Sequence, residues 1–131
     1  MIRIRHATKH LDLGDGVAVK LTRLKQGDYI RAMMVVGKHS NLSNQQALTT
    51  EQAQSLGIGI MSDQQAVEMV LDLVSRYTSD VEGVEIEDET GAVHLATPAE
   101  FSDSPDMLSR VFVVFNNLLS MSTLPADDRK N

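Results

Sequence analysis

The sequence predicts a single, mainly helical α+β domain with a central helix, a C-terminal amphipathic helix and one or two antiparallel hairpins. Three observations lead to this fold class. Apolar residues recur at helical spacing over residues 63–78. The pattern then changes to strict alternation near 83–88 and 92–96, which is typical of a half-buried hairpin. A proline-containing helix start precedes a second apolar helix near 105–121.

The N-terminal part predicts a pair of strands and a first helix. Apolar and polar residues alternate near 2–6 and again near 17–23, which indicates two amphipathic strands. Residues 11–16 between them are rich in Gly and Asp and predict a longish loop. A helix is predicted near 28–38, with Asp28 at its start.

The central helix is predicted after a polar stretch. Residues 40–55 are dominated by Asn, Gln, Ser and Thr and predict a mobile excursion from the domain. Ser62 is a candidate N-cap for the helix over 63–78, and Gln65 would complete a capping box. Apolar residues cover more than half of this helix's circumference, which is broader than the stripe of a surface helix. We therefore expect the other elements to pack on it.

A hairpin is predicted directly after the central helix. Its first strand places Val84 and Ile86 on one face and Glu85 and Glu87 on the other. A four-residue turn over 88–91 follows. In the second strand, Val93 and Leu95 alternate with Ala92 and His94.

The C-terminal part contains two helix starts. Residues 97–100 combine an N-cap threonine, a proline at the first helical position and a capping-box glutamate. Ser104 and Pro105 repeat the cap-plus-proline signal before the apolar helix. We expect the domain to span residues 1–125 and residues 126–131 to form a flexible polar tail.

Charge is unevenly distributed along the chain. The net charge is −6, but residues 1–38 carry eight Lys and Arg against three Asp, a net of +5, and the remainder carries four against fifteen, a net of −11. Such asymmetry predicts a charged partner. Nucleic acid fits poorly, because the total is acidic and Tyr29 is the one aromatic residue of the basic segment. An acidic protein, or a second copy of this chain joined head to tail into rings or filaments, fits better.

Composition excludes several other classes. The absence of cysteine rules out disulfides and cysteine-based sites. The N-terminus lacks the apolar core of a signal peptide and no run is long enough to span a membrane, so we expect a cytoplasmic protein. The spacing of His6 and His10 across a strand end does not converge on a metal. We expect no cofactor and no catalytic residue.

The acidic run over residues 80–89 leaves one chemical alternative open. Paired carboxylates can bind Mg²⁺ or act as acid and base, so a small carboxylate-dependent, metal-using enzyme is conceivable. The solvent face of a strand explains Glu85 and Glu87 equally well. Tight Mg²⁺ or Mn²⁺ binding that is abolished by Glu85→Ala and Asp88→Ala would favour the enzyme. A protein-binding bacterial adaptor is a further alternative.

The order of elements over about 17–124 resembles the tail assembly chaperones of long-tailed phages. The resemblance depends on Gly83 and Val84, the acidic run with Asp88 and Gly91, and the sequence over 97–101. Many members have a tryptophan just before the Gly-Val pair, where this chain has Val81 and Glu82. The resemblance implies a non-enzymatic protein that binds the tape measure protein, and possibly the major tail protein, and is absent from the finished virion.

Two further expectations complete this hypothesis. The family often makes a longer product by −1 ribosomal slippage near the end of the short reading frame, and Lys130-Asn131 is what the slippery heptamer A AAA AAC would encode. The charge asymmetry points to charged side chains as the protein-binding residues. They are Arg3, Arg5, Lys20, Arg23, Glu82, Glu85 and Glu87.

Overall fold

The structure is a computed structural model that describes Ile2 and residues 7–39 and 62–122. In chain order its elements are β1 (Thr8–Gly14), β2 (Val17–Thr22), α1 (Gln26–His39), α2 (Gln64–Tyr77), β3 (Thr78–Glu82), β4 (Glu85–Glu87), β5 (Val93–Leu95), α3 (Pro98–Asp103), a 3₁₀ turn (Pro105–Met107) and α4 (Leu108–Ser122). The predicted α+β class is confirmed. The predicted excursion over 40–55 and the tail over 126–131 lie outside the described residues.

Strands β1, β2 and β3 form an antiparallel sheet with β2 in the centre. Val17, Val19 and Leu21 of β2 are buried, and Lys20 between them is exposed. One face of the sheet therefore covers the core and the other faces solvent, as expected for an antiparallel sheet.

The position of β1 corrects the predicted N-terminal loop. Residues 8–14 form a strand that pairs with β2, so most of the segment interpreted as a loop is strand. The reversal needs only a tight turn, because Gly14, Asp15 and Gly16 all adopt positive φ angles. Leu11 and Leu13 pack against the core, which gives this strand an apolar face. Of the strand predicted near 2–6, residues 3–6 lie outside the described part of the chain.

Helix α2 is the central helix that the sequence predicts. Its buried residues are Ala66, Val70, Leu73, Val74 and Tyr77. The N-cap is Asp63 and not the predicted Ser62: the Asp63 carboxylate accepts hydrogen bonds from the backbone N–H groups of Gln65 (3.1 Å) and Ala66 (3.3 Å). The helix begins one residue later than predicted, and the extended backbone of Asp63 therefore occupies the cap position.

Strand β3 follows α2 without a loop and was not predicted. Ser79, Asp80 and Glu82 have low strand propensity, so the segment 78–82 carries little sequence signal. It forms a strand because β2 needs a second hydrogen-bonding partner on its other edge.

Two C-terminal helices complete the core. Helix α3 has the predicted capping box, with reciprocal bonds between Thr97 and Glu100. The predicted helix near 105–121 is confirmed, except that its first turn is a 3₁₀ turn and α4 begins at Leu108. Phe101 of α3 and Phe115 of α4 are among the largest fully buried side chains of the described residues.

Candidate protein-binding surfaces

The charged residues predicted to bind a partner do not form one surface where the structure describes them. Arg3 and Arg5 lie outside the described residues. Lys20 and Glu82 lie on the solvent face of the three-stranded sheet. Lys20 is opposite His10 on one side and Asp80 on the other, and Glu82 is 3.8 Å from the His10 ring nitrogen. Among the described residues of this face, Lys20 is thus a single cation with acidic neighbours.

Arg23 has a structural contact at the end of α4. Its guanidinium donates to the Ser122 carbonyl oxygen at 3.2 Å, where the helix leaves its last carbonyls unpaired. The Ser122 hydroxyl accepts a bond from the Leu24 backbone N–H at 3.0 Å. These bonds join the end of β2 to the end of α4.

Glu85 and Glu87 lie on an exposed face of the β4–β5 hairpin together with two aliphatic side chains. Glu85 is directly opposite Leu95, and Glu87 is directly opposite Val93. The aliphatic residues are unusually open, with Val93 54% and Leu95 67% exposed. We call these four residues the hairpin outer face.

The other face of the hairpin is attached to the domain. Val84 and Ala96 are buried, and the Ala96 backbone N–H donates to the Val84 carbonyl at 2.9 Å. His94 contacts Glu100 of α3 at 2.8 Å. The pKa of Glu100 lies below its ordinary value because the Thr97 backbone N–H and the His94 ring both hydrogen-bond its carboxylate. This attachment leaves the hairpin outer face directed away from the core.

The turn that sets this arrangement is built around Asp88. The Asp88 carboxylate accepts bonds from the Thr90 hydroxyl (2.6 Å), the Thr90 N–H (2.8 Å) and the Ala92 N–H (3.1 Å). These bonds, first among them the one from the Thr90 hydroxyl, hold the pKa of Asp88 below its usual value. Gly91 takes the positive φ angle of 86° that closes such a turn.

A second exposed apolar surface lies on helix α1. Ile30 is 52% and Met34 71% exposed, while Ala32 and Val36 on the opposite side are buried. Arg31 and Lys38 share the exposed side, because residues three, four and seven apart lie on one helix face. We call Ile30, Arg31, Met34 and Lys38 the α1 outer face. The sequence pattern does not reveal this face, because Ile30 and Met34 match the same helical spacing as the core residues.

Within residues 7–39 and 62–122, no group of three or more His, Asp or Glu side chains has positions that could hold a metal ion. Asp88, which the enzyme alternative needs, is hydrogen-bonded within its own turn.

Comparisons with protein-family models, curated proteins and solved structures give no match to this chain. Among the helices of the described residues, none has the length and apolar run that a membrane crossing requires.

Proposed function

We propose that this protein is a non-enzymatic tail assembly chaperone that binds the tape measure protein of a long-tailed phage or prophage. The sequence resemblance supplies the family. The observation that supports a protein-binding role is the hairpin outer face, where Val93 and Leu95 are exposed beside two glutamates. In this proposal the protein works in the host-cell cytoplasm, also contacts the major tail protein and leaves before the virion is complete.

The chemistry of the hairpin outer face suits a helical partner. Two neighbouring aliphatic side chains can cover an apolar pair on one helical turn, and apolar contacts of this kind supply binding energy once water is excluded. Flanking Glu85 and Glu87 favour lysine or arginine on the partner and disfavour acidic surfaces. A tape measure protein, as a long coiled coil, offers many helical faces of this type along its length.

A binding assay with defined variants tests the proposal. We expect the protein to capture the tape measure protein encoded in the same gene cluster, and V93T/L95T to weaken that capture about tenfold or more, because threonine keeps strand propensity but removes the apolar contact. The matched control is V113T, which changes an exposed valine of α4 that is 46% exposed and lies outside the hairpin.

Two results would contradict the proposal. One is the absence of any binding between the unmodified chain and that tape measure protein. The other is equal loss of binding in V113T and in V93T/L95T, which would remove the hairpin outer face from the interaction.

The gene tests the related expectation of a longer product. Codons AAA-AAC for Lys130 and Asn131, with an open −1 frame that continues past the stop, would support the chaperone family. Other codons, or a closed −1 frame, would remove ribosomal slippage from the proposal without affecting the binding assay.

A further inference from the structure

We propose that copies of this protein associate head to tail, with the α1 outer face of one copy docked on the hairpin outer face of the next. The occupant of the hairpin outer face in this contact is thus a second copy of the chain. The inference needs only this chain, so it stands or fails separately from the tape measure interaction.

The two faces are alike in apolar content. Each presents a pair of large aliphatic or thioether side chains to solvent: Ile30 and Met34 on α1, and Val93 and Leu95 on the hairpin. These four are among the most exposed large apolar residues of the described chain, and each is more than half exposed. Grouping them into two pairs makes two apolar patches, which mark interaction surfaces more often than scattered residues do.

The distance between the two residues of a pair is similar on the two faces. Ile30 and Met34 are four residues apart on a helix, so their Cα atoms are about 6 Å apart along its axis. Val93 and Leu95 are two residues apart on a strand, which gives about 7 Å. One helical turn of α1 can therefore cover the strand pair residue for residue.

The two faces have opposite charge. The α1 outer face carries Arg31 and Lys38, whose side chains are 62% and 70% exposed. The hairpin outer face carries Glu85 and Glu87, both exposed. Two cations beside one apolar pair and two carboxylates beside the other make the surfaces complementary.

Each cation of the α1 outer face already has one acidic neighbour within the copy. Asp28 is the acidic residue of this helix, but its side chain is only 11% exposed and is bonded to Arg76. Arg31 lies 3.6 Å from Asp28, and Lys38 lies 3.1 Å from Asp63. Such pairs with an exposed lysine or arginine contribute little energy and exchange readily, so both cations can also face a carboxylate of another copy.

Charge also fixes the type of symmetry. Two α1 outer faces repel each other, as do two hairpin outer faces, which disfavours a two-fold dimer through either surface. A contact between two different surfaces is heterologous and repeats from copy to copy, giving rings if it closes and filaments if it does not. Four residues on each side make a small interface, so we expect weak association that grows with protein concentration.

Sedimentation and light scattering of the full chain test the contact. We expect the average mass to rise with protein concentration and to fall as salt increases from about 0.1 M to about 1 M, because the screening length shrinks from about 10 Å to about 3 Å. M34Q should weaken association about tenfold or more while keeping helix propensity. The matched control, V113Q, should leave it unchanged.

Charge reversal tests the pairing itself. E85K/E87K alone and R31E/K38E alone should each sediment as monomers, and an equimolar mixture of the two should associate again, since each α1 outer face then meets a hairpin of opposite charge. A control with the same charge change as E85K/E87K, E68K/D103K at two exposed acidic positions outside both faces, should associate as the unmodified chain does. Circular dichroism confirms that each variant is folded.

Three outcomes would overturn the proposal: a monomer at every concentration and salt, association that survives M34Q, or a mixture of folded reversed variants that stays monomeric. Each is measured without a tape measure protein and so leaves the proposed function to its own binding assay.

Discussion

Asp28 ties the start of α1 to the end of the central helix α2. Its carboxylate accepts bonds from the Arg76 guanidinium at 3.0 and 3.3 Å and from the Tyr77 hydroxyl at 2.5 Å. The Tyr77 hydroxyl in turn accepts a bond from the Lys25 backbone N–H at 3.2 Å. The pKa of Asp28 is lowered, chiefly by the bond from Arg76 and then by the bond from Tyr77. Burial, and then the bond to the Asp28 carboxylate, raise the pKa of Tyr77.

Removing this carboxylate should destabilise the fold in a pH-dependent way. We expect D28N to lower the free energy of unfolding by about 1.5–3 kcal/mol at neutral pH, the range for hydrogen bonds to charged groups. Because the pKa of Asp28 is lower in the folded state, its contribution is complete above the unfolded value of about 4 and is lost as the pH falls through the folded value. Urea titrations from neutral to acidic pH measure both effects.

The control for D28N is R31Q. Arg31 contacts the same carboxylate at 3.6 Å, but its side chain is 62% exposed. We expect R31Q to change the free energy of unfolding by less than about 0.5 kcal/mol. Two results would disprove this account of Asp28. One is an equal free energy of unfolding for D28N and the unmodified chain at neutral pH. The other is a difference between these two free energies that becomes larger as the pH is lowered.

At the scale of elements, the junction between β3 and β4 fixes where the hairpin lies. Gly83 occupies this junction with a φ angle of 79°, and a Cβ atom there would lie 2.0 Å from the Gly16 carbonyl oxygen. The hairpin thus starts in backbone contact with the β1–β2 turn. Two turns that are far apart in sequence support each other, and glycine is required at the point where they touch.

Alanine substitutions separate this contact from simple backbone strain. G83A should lower the free energy of unfolding by more than about 2 kcal/mol, because it adds a steric clash to the cost of a positive φ angle. G91A should cost only about 1 kcal/mol, because its φ angle of 86° is similar but its Cβ would meet nothing closer than 4.0 Å. Chemical denaturation of both variants measures the difference, and equal losses would show that the close approach of the two turns contributes nothing.

At the scale of the whole molecule, burial is concentrated in β2, α2 and α4. Val19 and Leu21 of β2 and Val70 and Leu73 of α2 are at most 1% exposed. The hairpin, in contrast, has one face in solvent and only two strands of three residues each. A two-stranded hairpin of this kind is held by its contacts with the rest of the protein and not by its own pairing.

Native-state hydrogen exchange should reveal this division. We expect the amides of Val19 and Leu21 to exchange only through global unfolding, and those of Asp88 and Ala96 to exchange faster through local opening, although both are hydrogen-bonded across the hairpin at 2.9 Å. NMR exchange rates at low denaturant provide the comparison. Equal protection at the four amides would mean that the hairpin opens only with the whole domain.

The proposed partner binding and the proposed self-association use the same surface. The hairpin outer face is the proposed site for a partner helix and also for α1 of a second copy. The two occupants should therefore compete, so adding the tape measure protein is expected to lower the average size of the self-associated chain. Sedimentation with this chain labelled measures that change, and assemblies that keep their size while binding the partner would assign the two contacts to different surfaces.

Much of the fold follows from local sequence signals. Helical spacing over 63–78, the capping box over 97–100 and the apolar run over 105–121 predict three helices that the structure contains. Each signal is made of residues within one or two turns of each other, so a short window is enough to identify it. The alternation of Val84 and Ile86 with glutamates likewise predicts the first strand of the hairpin and places Glu85 and Glu87 in solvent.

The exposed face of the hairpin, in contrast, was decided by the tertiary structure. The predicted four-residue turn over 88–91 would pair Glu87 with Ala92, whereas the observed pairing is Glu87 with Val93. A shift of one residue moves every side chain of a strand to the opposite face, so it is this register that exposes Val93 and Leu95. Strands β1 and β3 were also decided by the tertiary structure. Their own strand propensity is weak, but they form strands because the buried strand β2 needs hydrogen-bonding partners on both edges. The sequence by itself thus determined the helices and the location of the hairpin, and the packing of distant segments determined which residues the protein offers to a partner.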